Sequence, residues 1–266
     1  NNAILELRSN GNHSYTKTDG SVAAFYQIVM SKGNDTTSSF TFSEEFNIPD
    51  ATTTFKPVEI LNGKLILDSS QIDITGGDMT IGGQVRRGLT ATTGILQFSQ
   101  SAGNFTVGTQ RPDANPTRGV FEILNNGSDF THTGGTFTLA GSNGSTNVPS
   151  LILEPETHDV TGSTITIAYS DGDDNFGIKS AIELNNLELA GTSFPTVNLY
   201  QLDVDLSGDL IINADNTFNA RGFDLTFSGG DFDNNGSYVS SGNGTNQQTT
   251  FFTGTAAQEI RGNGSY

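Results

Sequence analysis

The sequence contains no cysteine and no tryptophan, so disulfide bonds and thiolate metal sites are excluded. It is also poor in basic residues: 12 Lys and Arg stand against 29 Asp and Glu, which gives a net charge of −17. Proteins that bind nucleic acids neutralise phosphates with Lys and Arg. This charge balance therefore argues against a nucleic-acid partner, and against binding to anionic membrane surfaces.

Long apolar runs are missing as well. The longest, Val22 to Met30, covers about half of a membrane span and includes Gln27, so we expect no membrane insertion. No stretch shows the spacing of an amphipathic helix. No signal peptide opens the chain, because Asn1–Leu7 already has the pattern of a strand. We therefore expect a mature or internal part of a longer polypeptide.

A short signature recurs instead, made of a small polar residue, an apolar residue, Thr and a second apolar residue. It occurs at 39–42, 78–81, 104–107, 136–139, 164–167 and 224–227, and at 196–199 with Asn in the Thr position. From Thr80 onward the spacings of its third residue are 26, 32, 28, 32 and 28. A repeat of this length is typical of a solenoid, and the alternation within it indicates strands.

The sequence thus predicts an all-β fold, a right-handed parallel β-helix (β-solenoid) with up to three short strands per turn. Right-handedness is taken from the commoner class. At roughly 29 residues per turn, about nine coils would form a rod on the order of 40 Å long. We expect one domain over residues 1–266, less regular over 1–60 and regular over 61–266. A β-sandwich or propeller is the competing fold.

Residues 185–266 carry a more specific pattern, including Asn186-Leu187-Glu188-Leu189 and Gly208-Asp209-Leu210-Ile211-Ile212. With Gly222–Phe227, Gly230–Ser237 and Phe252–Gly264, this region resembles repeats of large adhesin-like surface proteins of Bacteroidetes. Those proteins are type IX secretion substrates associated with gliding cells. The resemblance concerns a repeat pattern and transfers no functional residues. It implies an extracellular location, the type IX secretion machinery as a partner, and a chain much longer than this one.

Parallel β-helices also include polysaccharide lyases and glycoside hydrolases, whose chemistry needs paired carboxylates. The best candidates are Asp171, Asp173 and Asp174, followed by Asn175, with Asp203 and Asp205 as further acids. The Gly-His-Gly and Arg-x-Lys elements of polygalacturonase-type helices are absent, however. The histidines His13, His132 and His158 are isolated from any such motif, and Arg86-Arg87 is the only adjacent basic pair. We expect these acids to be solvated corner residues.

The segment Asp231–Gly236 imitates the first half of a calcium loop, with oxygen ligands at alternate positions. Gly242 stands where the bidentate Glu would be needed, so an Asn-Gly turn is the better prediction. No catalytic, cofactor-binding or metal-binding residue is therefore assigned, and no cofactor is expected.

Three further surface features carry weaker signals. The outward Thr residues could form an ice-binding array, but only two coils in five show Thr-x-Thr. Thr is also common in strands because of its high β-propensity. Tyr15, Tyr169, Tyr200 and Tyr238 could stack on sugar rings. Asn-x-Ser/Thr sequons, which arise by chance in such a composition, occur at Asn12, Asn34, Asn104, Asn126, Asn143, Asn235, Asn243 and Asn263.

These observations predict a non-catalytic, extracellular stalk or adhesive segment of a large bacterial surface protein. Its partners would be adjacent segments of the same polypeptide, with a surface polysaccharide as a further candidate. The alternatives are a carbohydrate-active β-helix enzyme and, less favoured, an ice- or surface-binding solenoid.

Overall fold

The computed structural model describes residues 4–8, 13–15, 23–24, 27–31, 39–42, 46–48, 58–62, 64–67, 79–81, 85–86, 97–100, 104–108, 118–145, 147–169, 175–193, 195–240 and 247–266. Within these ranges the chain forms strands joined by turns and corners, without any helix. Accordingly, no helix of the described part is long and apolar enough to cross a membrane. The all-β expectation is confirmed.

The strands are short, most of them between three and five residues. In chain order they are β1 (Ile4–Leu7), β2 (His13–Tyr15), β3 (Ala23–Ala24), β4 (Gln27–Ser31), β5 (Ser39–Phe42), β6 (Phe46–Ile48), β7 (Val58–Asn62), β8 (Lys64–Leu67), β9 (Met79–Ile81), β10 (Val85–Arg86), β11 (Gln97–Gln100), β12 (Asn104–Val107), β13 (Phe121–His132), β14 (Thr136–Leu139), β15 (Leu151–Asp159), β16 (Thr164–Ile167), β17 (Phe176–Ser180), β18 (Asn186–Leu189), β19 (Thr196–Leu199), β20 (Val204–Leu206), β21 (Leu210–Ile212), β22 (Thr217–Asn219), β23 (Leu225–Phe227), β24 (Phe232–Asn234), β25 (Ser237–Val239), β26 (Thr250–Phe252) and β27 (Ile260–Arg261).

The strands pair in parallel and in an order that only a coil produces. One ten-stranded sheet runs β3-β6-β9-β12-β14-β16-β18-β21-β24-β27, so each member pairs with a strand one turn away. A second sheet follows β1-β4-β7-β10-β13-β15-β17-β19-β22-β25 and includes β2, β5, β8 and β11 beside that path. A third, β20-β23-β26, has three strands. This pairing defines a parallel β-solenoid, as the sequence predicts.

Each coil visits three faces in a fixed order. The first face is the path from β1 to β25, and the third face is the ten-stranded sheet. Between them, the second face contains β2, β5, β8, β11 and the C-terminal halves of β13 and β15, and later β20, β23 and β26. About five turns are followed with only short gaps, from β14 to β27. The expected count of nine coils is not established by them.

Strand alternation separates the core from the surface, as expected for period-two patterning. In β14 the apolar Phe137 and Leu139 are fully buried, whereas Thr136 and Thr138 are half-buried on the outer side. The inward residues stack from coil to coil: Phe105 pairs with Phe137, and Phe137 pairs with Ile165. A continuous apolar column therefore fills the solenoid and supplies most of the energy of folding.

The length of a coil changes along the chain. Asp129 and Thr157, which are in register on the second face, have a sequence separation of 28. One coil later, Thr166 is in register with Glu188 on the third face, and their sequence separation is only 22. The coil after that is about as short, since Glu188 pairs with Ile211. The cross-section of the solenoid therefore narrows after β16.

The core composition fits this change in coil length. The long coils are filled by a cluster of phenylalanines whose ring centroids lie 4.7 to 6.2 Å apart: Phe98, Phe105, Phe121, Phe130 and Phe137. The short coils bury smaller side chains at the equivalent positions, among them Leu187, Leu189 and Leu210. Interiors pack densely, so the clustered rings suit the wider interior of the long coils, while the short coils bury rings such as Phe218 and Phe227 at other positions.

Because the coils become shorter, not all copies of the signature lie on the same face of the solenoid. Thr80, Thr106, Thr138 and Thr166 do form one in-register column, as predicted. The last two copies of the signature do not continue it. Strand β19, which contains Asn198, belongs to the first face, and β23, which contains Thr226, belongs to the second. Thr41 lies on the second face as well. The number of residues between the copies at Asn198 and Thr226 is larger than the number in one short coil, so the two copies lie on different faces.

Side-chain oxygens stabilise two corners of the short coils. Asn186 accepts the backbone N–H of Asp209, and Asp209 accepts the N–H of Asp231 at 2.7 Å, one turn further on. Asp203 does the same for the N–H of Asp224 at the other corner. These bonds satisfy N–H groups next to strand starts, where a corner interrupts the ladder.

Candidate functional site

A cleft opens on the second face where the coil narrows. Leu153 is in register with Ser180, and Thr164 is in register with Asn186. The coil that contains β15 takes more residues from Leu153 to Thr164 than the next coil takes from Ser180 to Asn186. The longer segment therefore projects beyond the shorter one. An open cleft of about 380 Å³ lies at this step. It is lined by His158, Asp159, Val160, Thr161, Glu183, Asn185 and Ser207.

His158 marks the lower edge of this cleft. On the second face Phe98 pairs with Phe130, and Phe130 pairs with His158, so all three occupy the inward phase. Phe98 and Phe130 are fully buried, but His158 is exposed. The reason is the narrowing: the next coil turns inward at Leu184 and leaves no described strand to cover the imidazole. An inward column thus ends in a side chain that faces solvent.

The two lips carry carboxylates. Asp159 lies on the lower lip, where the N–H and the hydroxyl of Thr161 both donate to its Oδ1, at 3.1 and 2.9 Å. These two bonds hold the pKa of Asp159 below its usual value, with a further contribution from His158. Glu183 lies on the upper lip and accepts the Ser228 hydroxyl at 2.7 Å.

The upper lip is fixed by backbone and side-chain bonds of the short coils. Ser207 donates its N–H to the Leu184 carbonyl at 2.8 Å, and the Asn185 amide donates to the Ser207 hydroxyl at 3.3 Å. Chemically, the cleft offers two carboxylates, an imidazole, an amide and hydroxyl groups around one apolar side chain, Val160. No Lys or Arg is among its described lining residues. Such a lining suits cationic or hydrogen-bonding ligands and disfavours anions.

Of the acids proposed from the sequence, the described ones, Asp203 and Asp205, do not line this cleft. Asp171, Asp173 and Asp174 lie outside the described residues. Asp203 is a corner residue, since its Oδ1 accepts the Asp224 N–H at 2.8 Å. Asp205 is exposed on β20, in register with Thr226. Both described acids therefore agree with the expectation of corner or surface residues.

The segment that imitates a calcium loop forms a strand followed by the predicted Asn-Gly turn. Phe232–Asn234 forms the strand β24, and the turn comes only afterwards, at Asn235 and Gly236. Arg261, one coil later, binds both acids: its Nη1 lies 2.9 Å from Asp231 and its Nε lies 3.1 Å from Asp233. The Arg261 guanidinium therefore pairs with the two carboxylates that a calcium ion would need as ligands. Across the described ranges, no group of three or more His, Asp or Glu residues could hold a metal ion.

The other two histidines, His13 and His132, lie in strands and do not line the cleft. His13 begins β2 and is half-buried. His132 ends β13 and is fully buried beside the rings of Phe130 and Phe137, each at 6.1 Å. Burial lowers the pKa of His132 to about 4, although a backbone contact with Gly135 acts in the opposite direction. His132 is therefore neutral at physiological pH.

The third face carries the Thr array that ice binding would require. The described part of it consists of paired outward residues on three strands, namely Asn104 and Thr106, Thr136 and Thr138, Thr164 and Thr166. The next coil ends the array, because Asn186 donates to Thr164 and Glu188 accepts from Thr166. Three coils of hydroxyl and amide groups make a small surface.

The three candidate tyrosines whose side chains the structure describes do not form a sugar-stacking surface. Tyr169, Tyr200 and Tyr238 are all at least nine-tenths buried, and the side chain of Tyr15 lies outside the described residues. Tyr200 instead packs under the Arg221 guanidinium, 4.8 Å from the ring centroid. Of the sequons, Asn143 is buried and its amide donates to the Arg118 carbonyl, whereas Asn126, Asn235 and Asn263 are exposed.

The last coil exposes apolar side chains. Phe252 and Ile260 occupy inward positions, in register with the buried Phe227 and Phe232, but are 37% and 60% exposed. Phe251 and Tyr266 add to the same end. The interior column thus remains uncovered at β26 and β27.

The fold defines the class of protein as an all-β parallel β-solenoid. The chain matches no protein-family model, no curated protein and no solved structure. The resemblance to surface repeats therefore stays a prediction from sequence.

Sequence reasoning missed the cleft at the step, although one signal was present. Asn186-Leu187-Glu188-Leu189 has the alternation of the repeat, and it follows Thr164-Ile165-Thr166-Ile167 sooner than the spacing of the earlier copies predicts. Glu in place of Thr concealed the match. Recognising it would have located the shorter coil, and with it the step.

Proposed function

We propose that this chain is a non-catalytic stalk segment of a large bacterial surface protein, located outside the cell and adhesive in role. The observation that supports it best is the parallel ladder, which passes from coil to coil over an apolar column. A rod of this kind holds other parts of a protein at a distance and offers long polar faces. No catalytic chemistry is needed for that role.

The rod resists bending and unfolding through interactions that repeat along its axis. Parallel hydrogen bonds join each coil to the next, and corner residues such as Asp209 and Asp231 add side-chain bonds between coils. Solenoid stability is approximately the sum of such nearest-neighbour terms. A load along the axis is therefore shared by several faces.

Further coils of the same polypeptide cover the uncovered last coil in this proposal. Phe252 and Ile260 are placed to receive the next inward residues. Exposed apolar groups beside unpaired strand edges favour aggregation, and in this proposal contact with adjacent segments of the same polypeptide prevents it.

The finer sequence-based expectations belong to the same proposal: a right-handed coil, roughly nine turns, export by the type IX machinery, a connection with gliding, and a surface polysaccharide as ligand. Export and gliding follow from the resemblance, the hand follows from the commoner class of β-helix, and the number of turns follows from the spacing of the repeat. Small-angle scattering would give the length of the rod, and a crystal structure would give its hand.

A carbohydrate-active enzyme is the second candidate, because the cleft places His158, Asp159 and Glu183 around one opening. The assay is turnover of neutral and acidic polysaccharides by the chain, with Asp159→Asn and Glu183→Gln as variants. Turnover that both variants abolish would contradict the non-catalytic role.

The size and location of the native polypeptide test the main proposal. An antibody raised against this region is used on denaturing gels, and on intact cells before and after treatment with an external protease. We expect a band several times larger than the 28.1 kDa of this chain, which disappears after proteolysis of intact cells. A band near 28.1 kDa, or one protected from protease, would overturn the proposal. A cytoplasmic protein serves as the lysis control.

A further inference from the structure

Strand β15 has an open edge in the middle of the solenoid. Its N-terminal half pairs on both sides, with Phe121–Asn125 of β13 and with Ile178–Ser180 of β17. Its C-terminal half, Thr157–Asp159, pairs with β13 alone among the described strands. The narrowing of the coil causes this, because β17 ends before the chain could follow β15 along the second face. This edge borders the cleft, which His158 and Asp159 line.

The edge is accessible and has room beside it. Glu156, Thr157, His158 and Asp159 are all exposed, in contrast to Leu151 and Leu153 of the same strand. The adjoining cleft, about 380 Å³, has a volume of roughly a dozen water molecules. A peptide can add to a sheet as a further strand only where a strand edge has no partner strand and has free space beside it. Strand addition to an exposed sheet edge is a common mode of peptide recognition.

The charge of the cleft determines which kind of peptide can bind there. Asp159 and Glu183 stand on opposite lips, and the described lining residues include no Lys or Arg. The whole chain carries a net charge of −17, which attracts basic partners over longer distances. The uncovered imidazole of His158 lines the same cleft and offers a surface for a side chain of the incoming strand.

We propose that this cleft binds an extended, basic peptide segment of a partner protein, which adds to the Thr157–Asp159 edge and places Lys or Arg side chains against Asp159 and Glu183. Such a site gives the rod one discrete attachment point, and it rests on the adhesive role proposed above. The backbone pairing supplies affinity, and the two carboxylates supply selectivity.

The test uses a short fluorescent peptide of alternating threonine and lysine, measured by fluorescence anisotropy with the whole chain. Its controls are the same peptide with glutamate in place of lysine, and a version N-methylated at alternate residues. We expect binding of the lysine peptide only, weakened by salt. N-methylation removes backbone donors without changing charge, so it separates strand pairing from simple electrostatic attraction.

Two conservative variants locate the site. We expect Asp159→Asn and Glu183→Gln each to weaken binding about tenfold, as the loss of one close charge pair predicts. Asp205→Asn is the matched control, because it removes an exposed carboxylate of the same face outside the cleft. Hydrogen exchange of the Thr157–Asp159 amides should slow when the peptide binds.

Equal binding of the N-methylated peptide, equal loss in Asp205→Asn, or unchanged exchange at the edge would each overturn the proposal. So would an oligosaccharide that binds instead of the peptide and is lost in the same variants. These outcomes are distinct from failure of the stalk proposal, which is decided by the size and location of the native polypeptide.

Discussion

The side chain of Asn216 hydrogen-bonds both backbone groups of Gly191, which lies one coil earlier. Its Oδ1 accepts the Gly191 N–H at 2.9 Å, and its Nδ2 donates to the Gly191 carbonyl at 3.1 Å. Asn216 is 1% exposed, so the amide replaces a piece of backbone ladder inside a corner. A side chain thus continues the pairing between coils where the strands stop.

We expect Asn216→Ala to be among the more destabilising single changes. It leaves the N–H and the carbonyl of Gly191 buried without these bonds, at a cost of about 2–4 kcal/mol in the free energy of unfolding. Chemical denaturation followed by circular dichroism measures it. Asn147→Ala, at an exposed corner position, is the control. Equal midpoints for the two variants would show that the corner bond is unimportant.

Phe227 and Phe252 offer a comparison within one inward column. Their rings stack with centroids 5.0 Å apart, but Phe227 is fully buried and Phe252 is 37% exposed. Phe227→Ala should cost about 3–5 kcal/mol, and Phe252→Ala about 1 kcal/mol, because only the first opens a cavity. Thermal unfolding of both variants checks this. A large loss in Phe252→Ala would mean that the last coil is covered in solution.

Stability should fall with acidification because of His132. Its pKa is lowered to about 4 in the folded chain by burial, whereas a histidine in the unfolded chain titrates near 6.5. Between these values the unfolded state binds more protons. Stability from this group is therefore complete above about pH 6.5, is lost as the pH falls towards 4, and totals about 3 kcal/mol.

His132→Gln isolates that contribution, since Gln100 already occupies the paired position one coil earlier. Denaturation midpoints measured from pH 7 to pH 4 should fall less steeply in His132→Gln than in the parent chain. Asn147→Ala, which replaces an exposed side chain that does not titrate, should leave the slope unchanged. A parent slope retained in His132→Gln would assign the acid sensitivity to other groups.

A buried ion pair joins Arg118 and Glu122 at the start of β13. The Arg118 Nε donates to Glu122 at 2.6 Å, and the Gly119 N–H donates to the same carboxylate at 3.1 Å. Both side chains are 3% exposed. Glu122→Ala should cost about 3–5 kcal/mol, because it leaves a buried guanidinium without its carboxylate.

The double variant Arg118→Met with Glu122→Leu should recover most of that loss, since apolar replacement of a buried pair is often neutral or stabilising. Urea denaturation of the single and double variants gives the coupling. If the double variant is as unstable as Glu122→Ala, the loss comes from the corner packing and not from the unpaired charge.

The sequence by itself determined which residues face inward. Alternation placed Phe105, Phe137 and Ile165 in the core, and it placed the Thr residues that follow them in one outward column, because side chains of a strand alternate sides whatever lies around it. Parallel coiling followed from the repeat of that pattern. The sequence was also sufficient to predict that Asp203 and Asp205 are corner or surface residues.

Only the tertiary structure decided how long each coil is and which strands meet. The signature at Asn198 and Thr226 is locally similar to the earlier copies, yet it lies on other faces, because the coils after β16 are shorter than the spacing between the copies. Local pattern carries no information about circumference, which depends on how the side chains of all three faces fill the interior. The step beside β15, the open edge at Thr157–Asp159 and the cleft between Asp159 and Glu183 are consequences of that packing.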